Sequence, residues 1–127
     1  MIERIKITVP VVGTAGSATG SQISNQPVNG KILRVHVAYT SQPAGTCDVT
    51  IATVETPTQD ILTLTNTATS GWFAPRMPVH GPTGTALTYN GTQTVNEPFP
   101  VSGYVKVTVA QGDPHATGVV VTMEVER

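Results

Sequence analysis

Gly30-Lys31-Ile32-Leu33-Arg34-Val35-His36-Val37-Ala38-Tyr39, followed after a break by Cys47-Asp48-Val49-Thr50-Ile51-Ala52-Thr53-Val54, is the stretch on which the fold turns. Side chains of an extended chain alternate between two faces, so Leu33, Val35, Val37 and Tyr39 share one side of the first run. Cys47, Val49 and Ile51 do the same in the second. Between the runs, Ser41-Gln42-Pro43-Ala44-Gly45 carries the Pro and Gly that a turn needs. Two period-2 runs joined by a short turn predict an antiparallel hairpin. Each large apolar group buried is worth about 1.5–3 kcal/mol, so this pair is expected to supply much of the core.

The same alternation extends outward in both directions. Ile5, Ile7 and Val9 alternate with Arg4, Lys6 and Thr8, and Pro10 limits that run to an edge or an end. Residues 13–26 are rich in Gly, Ser and Thr, with Ile23 as the one large apolar side chain among Thr14–Asn25, and read as a flexible arm or loop leading into a short edge strand. Pro27-Val28-Asn29-Gly30 is a turn signal. Downstream, Leu62 and Leu64 mark a further strand, and Ser70 to Gly84 is irregular, with Trp72 and Phe73 set among Pro75, Pro78 and Pro82. Asn90-Gly91 between Ala86–Tyr89 and Thr92–Val95 is a strong hairpin signal, and Pro98 and Pro100 bracket Phe99 in an expected bend. The chain ends with Val105, Val107, Val109 and then Val121, Met123, Val125, two runs that the Gln111–His115 break predicts to be a hairpin. Arg4 and Lys6 fall on the outward face of the first strand, and Glu124 and Glu126 on that of the last. Adjacent terminal strands would therefore gain roughly 0.2–1 kcal/mol per pair.

Eight or so short strands, no helical period and 127 residues predict one domain spanning 1–127: an all-β antiparallel sandwich, jelly-roll or immunoglobulin-like. Composition agrees, because Thr occurs 21 times and charged residues make up only 12%. A net charge of −1 with no basic run predicts no nucleic-acid partner, and no apolar segment has the length of a membrane span. The opening residues lack the apolar core of a signal peptide, which predicts synthesis and assembly in a cytosol. Cys47 is the single cysteine and alternates in phase with Val49 and Ile51, as a small buried hydrophobe would.

Little in the sequence points to catalysis. His36, His80 and His115 lack metal-ligand spacing, and no local spacing unites Glu55 with Glu97 as a carboxylate pair. No nucleophile elbow, phosphate-binding loop or Asp-rich calcium loop is present, so neither a catalytic residue nor a cofactor is expected. Trp72-Phe73-Ala74-Pro75-Arg76-Met77-Pro78 has two readings. Trp72, Phe73 and Arg76, with His80 just beyond, suit an interface anchor, since Trp and Arg dominate binding hot spots. A Trp in a Pro-rich crossing also suits a plug for the open end of a sandwich.

Four stretches, Asn29–Tyr39, Thr46–Ile51, Trp72–Arg76 and Pro100–Gly112, give the chain a resemblance to small virion proteins of tailed bacteriophages, the auxiliary or decoration proteins on the outside of a capsid. The resemblance implies a non-catalytic protein made in the host cytoplasm that lies on the capsid exterior. It also implies a homo-oligomer, dimeric or trimeric, that grips the major capsid protein lattice and stabilises it through many weak contacts. Similar sequences occur among phage tail and head–tail connector subunits, and a carbohydrate-binding module on the virion is a further reading.

Overall fold

The computed structural model describes residues 1–40 and 44–127. Among the described residues, ten strands form two antiparallel sheets: β1 (Ile2–Val11), β2 (Ala18–Ile23), β3 (Val28–Tyr39), β4 (Asp48–Thr53), β5 (Asp60–Leu64), β6 (Gly71–Phe73), β7 (Arg76–Pro78), β8 (Asn96–Gly103), β9 (Val105–Gly112) and β10 (His115–Glu126). The first sheet runs β1-β10-β3-β8-β7, with β6 also on β3, and the second runs β2-β9-β4-β5. With β6 and β7 set aside, strands first and last, second and next-to-last, and so on inward pair two by two. A long antiparallel ribbon wrapped around a core produces that order, which is the jelly-roll arrangement. Between the two kinds of sandwich expected, the strand order selects this one.

The ribbon overturns two expected hairpins. β3 and β4 lie in opposite sheets, and so do β9 and β10. In a wrapped ribbon successive strands cross from one sheet to the other, and only the innermost pair, β4 and β5, returns as a direct hairpin. Alternation is satisfied either way, because Val35 and Val37 of one sheet and Val49 and Ile51 of the other all point into one core. The Ser41–Pro43 part of the expected turn lies outside the described residues. The terminal strands, in contrast, are neighbours as expected, with Arg4 directly opposite Glu124.

Strand β3 keeps its apolar side inward by means of a β-bulge. Arg34 pairs with Glu124 and Ile32 with Val125, so Leu33 is the extra residue. Val28 and Ile32 before the bulge and Val35 and Val37 after it are all fully buried, whereas Leu33 is only half-buried. The expected inward set therefore loses Leu33 and gains Ile32, because a one-residue slip exchanges the faces.

Pro98 and Pro100 lie within β8 rather than in a bend. Pro98 is opposite Arg76 of β7 and Pro100 opposite Lys31 of β3, so each proline has a strand on one side only. Phe99 between them is buried. At Asn90-Gly91 the turn forms, with the Tyr89 N–H donating to the Gln93 carbonyl at 3.2 Å and Gly91 at φ +82°. Its flanks form isolated bridges, Thr88 to Thr94 and His80 to Ala86, and no extended ladder.

Residues 14–17 make a turn, and Ala18–Ile23 is an edge strand of the second sheet. The Gly16 N–H is held by the Asp113 side chain at 2.9 Å, and Ala18 is fully buried.

Candidate functional site

The chain between β5 and β8 leaves the ribbon, and its short strand β6 adds to the edge of β3 with Trp72 opposite His36 and Phe73 opposite Val35. Alternation then decides the two aromatics. Phe73 turns inward and packs against the core, while Trp72 stands on the outer face at 47% exposure. Trp72 is thus not the plug of an open end. Its ring centroid lies 4.8 Å from that of His36 at a tilt of 58°. The Arg34 guanidinium lies 4.0 Å from the ring centroid on the same face, in cation–π geometry.

Arg34 is itself held from the other side. Its Nε donates to Glu124 Oε1, and Arg4 reaches Glu124 Oε2 at 3.8 Å. A row therefore runs Arg4, Glu124, Arg34, Trp72 across β1, β10, β3 and β6, with His36 beside it. Glu124 is largely covered by the two arginines, its side chain only 14% exposed. These contacts pack against part of the Trp72 ring and leave the rest of it open to solvent.

Arg76 closes a different gap. Along one edge of β3, β8 pairs residues 28–32 and β6 pairs 35–37, which leaves the bulged Leu33 between them. Arg76 Nη1 donates to the Leu33 carbonyl at 3.0 Å and to the Pro75 carbonyl at 2.9 Å. Of the four residues expected together, Trp72 and Arg76 both end on the β3 edge, Phe73 turns to the core, and His80 is exposed at its bridge to Ala86. Sequence reasoning missed Arg34, Glu124 and Arg4 as members of the Trp72 cluster. Their alternation opposite Val35, Val125 and Ile5 placed each on an outer face, but only tertiary pairing brings the aromatic ring to them.

Charge is distributed unevenly over the molecule. The outer face of the first sheet carries Arg4, Lys6, Lys31, Arg34 and Arg76 against Glu124 and Glu126. Five of the seven cations and two of the eight acids give this face +3, leaving −4 on the rest of a chain whose net charge is −1. The outer face of the second sheet is lined by hydroxyls, with Ser21, Thr108, Thr50 and Thr63 directly opposite one another across all four strands.

A cleft of about 290 Å³ opens between the sheets at one end, lined in part by Val11, Val109, Tyr39, Cys47, Asp113 and His115. Burial pushes the Cys47 thiol above its ordinary range, and the nearby Asp48 and Asp113 carboxylates push it the same way. Burial likewise raises Tyr39, against a hydrogen bond to Thr67 that lowers it. A thiol so placed stays protonated at neutral pH and is a poor nucleophile. Among the described residues, no three His, Cys, Asp or Glu side chains converge as a metal ion would require.

Comparison of the chain with protein-family models, with curated proteins and with solved structures finds no match.

Proposed function

We propose that the chain is a non-catalytic structural protein of a phage virion that decorates the capsid exterior by binding the major capsid protein lattice. The observation that carries this reading is the pre-set Trp72 on the cationic outer face of the first sheet. Exposing a large aromatic costs hydration free energy, and the Arg34 and His36 contacts remove the rotamer entropy that docking would otherwise cost. An ordered Trp ringed by Arg and His suits a hot spot on a broad protein interface better than it suits turnover. The sequence resemblance of Asn29–Tyr39, Thr46–Ile51, Trp72–Arg76 and Pro100–Gly112 to decoration proteins points the same way. In this reading a dimer or trimer spans neighbouring capsid subunits, so many weak contacts add up across the shell.

The carbohydrate-binding alternative is less well supported by the geometry. A sugar platform needs a bare aromatic face, and Arg34 already occupies one face of the Trp72 ring.

The test is direct. Heads assembled without this protein are mixed with the purified chain and imaged by electron microscopy. Saturable density over the whole shell, reduced by Trp72→Ala, is expected. Label confined to one vertex or to the tail would replace the reading with that of a connector or tail subunit, and no label anywhere would end it.

A further inference from the structure

The free edges of β1 and β2 form a seam along one side of the sandwich, zipped at one end and open at the other. At the zipped end Val12 and Thr19 exchange both backbone hydrogen bonds at 2.9 Å, and Gly20 lies so close to the Pro10 carbonyl that a Cβ there would sit 2.1 Å from its oxygen. Beyond that point the strands diverge. The open part is a cleft of about 270 Å³ lined by Lys6, Ile7 and Thr8 of β1 and by Gln22, Ile23 and Asn25 in and after β2. Neither β10 nor β9, the strands on the far sides of β1 and β2, contributes to this lining, so the cleft lies along the two free edges.

The backbone of β1 is correctly phased to use that edge. The Arg127 N–H donates to the Met1 carbonyl at 3.0 Å, and the β1–β10 register then turns the odd-numbered residues of Met1 to Val9 toward β10. The N–H and C=O groups of Arg4, Lys6 and Thr8 therefore point out of the sheet into the seam. Pro10 and Val12, of the same parity, meet β2 on that side, as the phase requires. The far end of the opening is closed by Glu3, which accepts from Gln26 Nε2 at 2.5 Å and pairs with Arg127 at 2.7 Å.

We infer that this seam accepts an extended segment of another polypeptide, added as a strand along Arg4–Thr8. Its chemistry is set by the two sides of β1. On the outer face Arg4 and Lys6 select acidic residues at alternate positions, and β10 already shows the match, with Glu124 opposite Arg4. On the inner side, an apolar residue of the incoming strand enters the cleft beside Ile7 and the half-exposed Ile23. A second copy of β1 is the wrong occupant. Any antiparallel register that keeps the faces matched and the strands overlapped there sets Arg4 or Lys6 against Arg4, Lys6 or an uncharged residue, and like charges opposite one another repel. The occupant is therefore an acidic, alternating segment of a different chain, held by main-chain bonds for affinity and by charge for register. The inference stands apart from the capsid reading, since any partner offering such a segment would fit.

The test uses the intact protein and two fluorescent ten-residue peptides, one alternating Glu and Val and the other Lys and Val. Fluorescence anisotropy is expected to show binding of the Glu peptide and at least about tenfold weaker binding of the Lys peptide. Lys6→Glu is expected to reverse that preference. Thr8→Pro removes an edge-facing N–H without touching the β10 ladder, so it should keep the thermal midpoint and lose the peptide. Slowed hydrogen exchange at the Arg4, Lys6 and Thr8 amides on binding would support the strand. Equal binding of both peptides, no binding of either, or full binding by a folded Thr8→Pro would overturn the inference. So would heparin or duplex DNA binding at Lys6 more tightly than the Glu peptide, which would make the site a polyanion patch. Self-association of the unmodified chain that Thr8→Pro abolishes would overturn it in favour of a second copy.

Discussion

The two outer faces of the sandwich are built on the same inward pattern and share almost nothing else. Behind the first sheet's outer face stand Val35, Val37, Val121 and Met123, and behind the second's stand Val49, Ile51, Val107 and Val109, all buried. On the surface the first presents Arg4, Glu124, Arg34, His36 and Trp72, while the second presents the row Ser21, Thr108, Thr50 and Thr63. Folding constrains every second residue of a strand and leaves the others free. Thr satisfies that freedom at low cost, since it favours extended chain and is content in water. An exposed Trp with two arginines and a glutamate arranged about it is not a default surface. In the reading proposed above, the specialised role falls to the first sheet and a mainly structural one to the second.

That contrast depends first on the bulge at Leu33, which sets the outward residues of β3. Deleting Leu33 would leave Ile32 opposite Val125 and Arg34 opposite Glu124 in a regular ladder, whereas deleting His36 puts Val35 and Val37 on opposite faces and forces one of them into solvent, at roughly 1.5–3 kcal/mol for a large apolar group. The chain lacking His36 should lose cooperative unfolding by circular dichroism, whereas Leu33→Ala should fold with a loss of about 1 kcal/mol. A chain lacking His36 that melts like the parent would mean the strand can slip freely.

A smaller effect is expected from Trp72→Ala. The cation–π contact and the tilted His36 pair are each worth about 0.5–1.5 kcal/mol, so calorimetry should show the thermal midpoint falling by about 4–8 °C. A variant unchanged in both midpoint and assembly would show that the aromatic cluster is ornamental.

Much of this architecture was legible in the residue order. Ile5, Ile7, Val9, Val49, Ile51 and Val121 lie inside as their alternation demands, and Arg4 and Glu124 lie on outer faces as theirs does, while the strand order sets them opposite one another. The hairpins were not legible. Val37 and Val49 read identically whether their strands are hydrogen-bonded neighbours or face each other across a core, and a wrapped ribbon places them across it. The bulge was hidden for a related reason: Ile32 and Leu33 are both apolar, so either fits the inward pattern. Within the candidate site, the Trp72 segment was visible, but its partners Arg34 and His36 lie on a strand far upstream and meet it only through β6.

Weaker still should be Glu124→Gln. Its arginine partners are 50% and 65% exposed, so water screens both pairs and the loss should be about 0.5–1 kcal/mol. Urea unfolding in 1 M NaCl should shrink the difference, because the screening length there is about 3 Å. A loss that persists in high salt would mark the cluster as more than a surface network. At the bottom of the scale, Thr50→Val and Thr108→Val on the other face keep the β-branched shape and should each shift stability by no more than about 0.5 kcal/mol. A larger drop would show that the hydroxyl row is itself a structural or binding element.

The three lysines divide between the faces, Lys6 and Lys31 on the first sheet and Lys106 on the second. Amine labelling of the chain, free and bound to undecorated heads, can therefore be read by mass spectrometry at each lysine. Protection of Lys6 and Lys31 with Lys106 still reactive is the predicted result. Protection of Lys106 alone, or of none of the three, would contradict the assignment of the first sheet as the binding face.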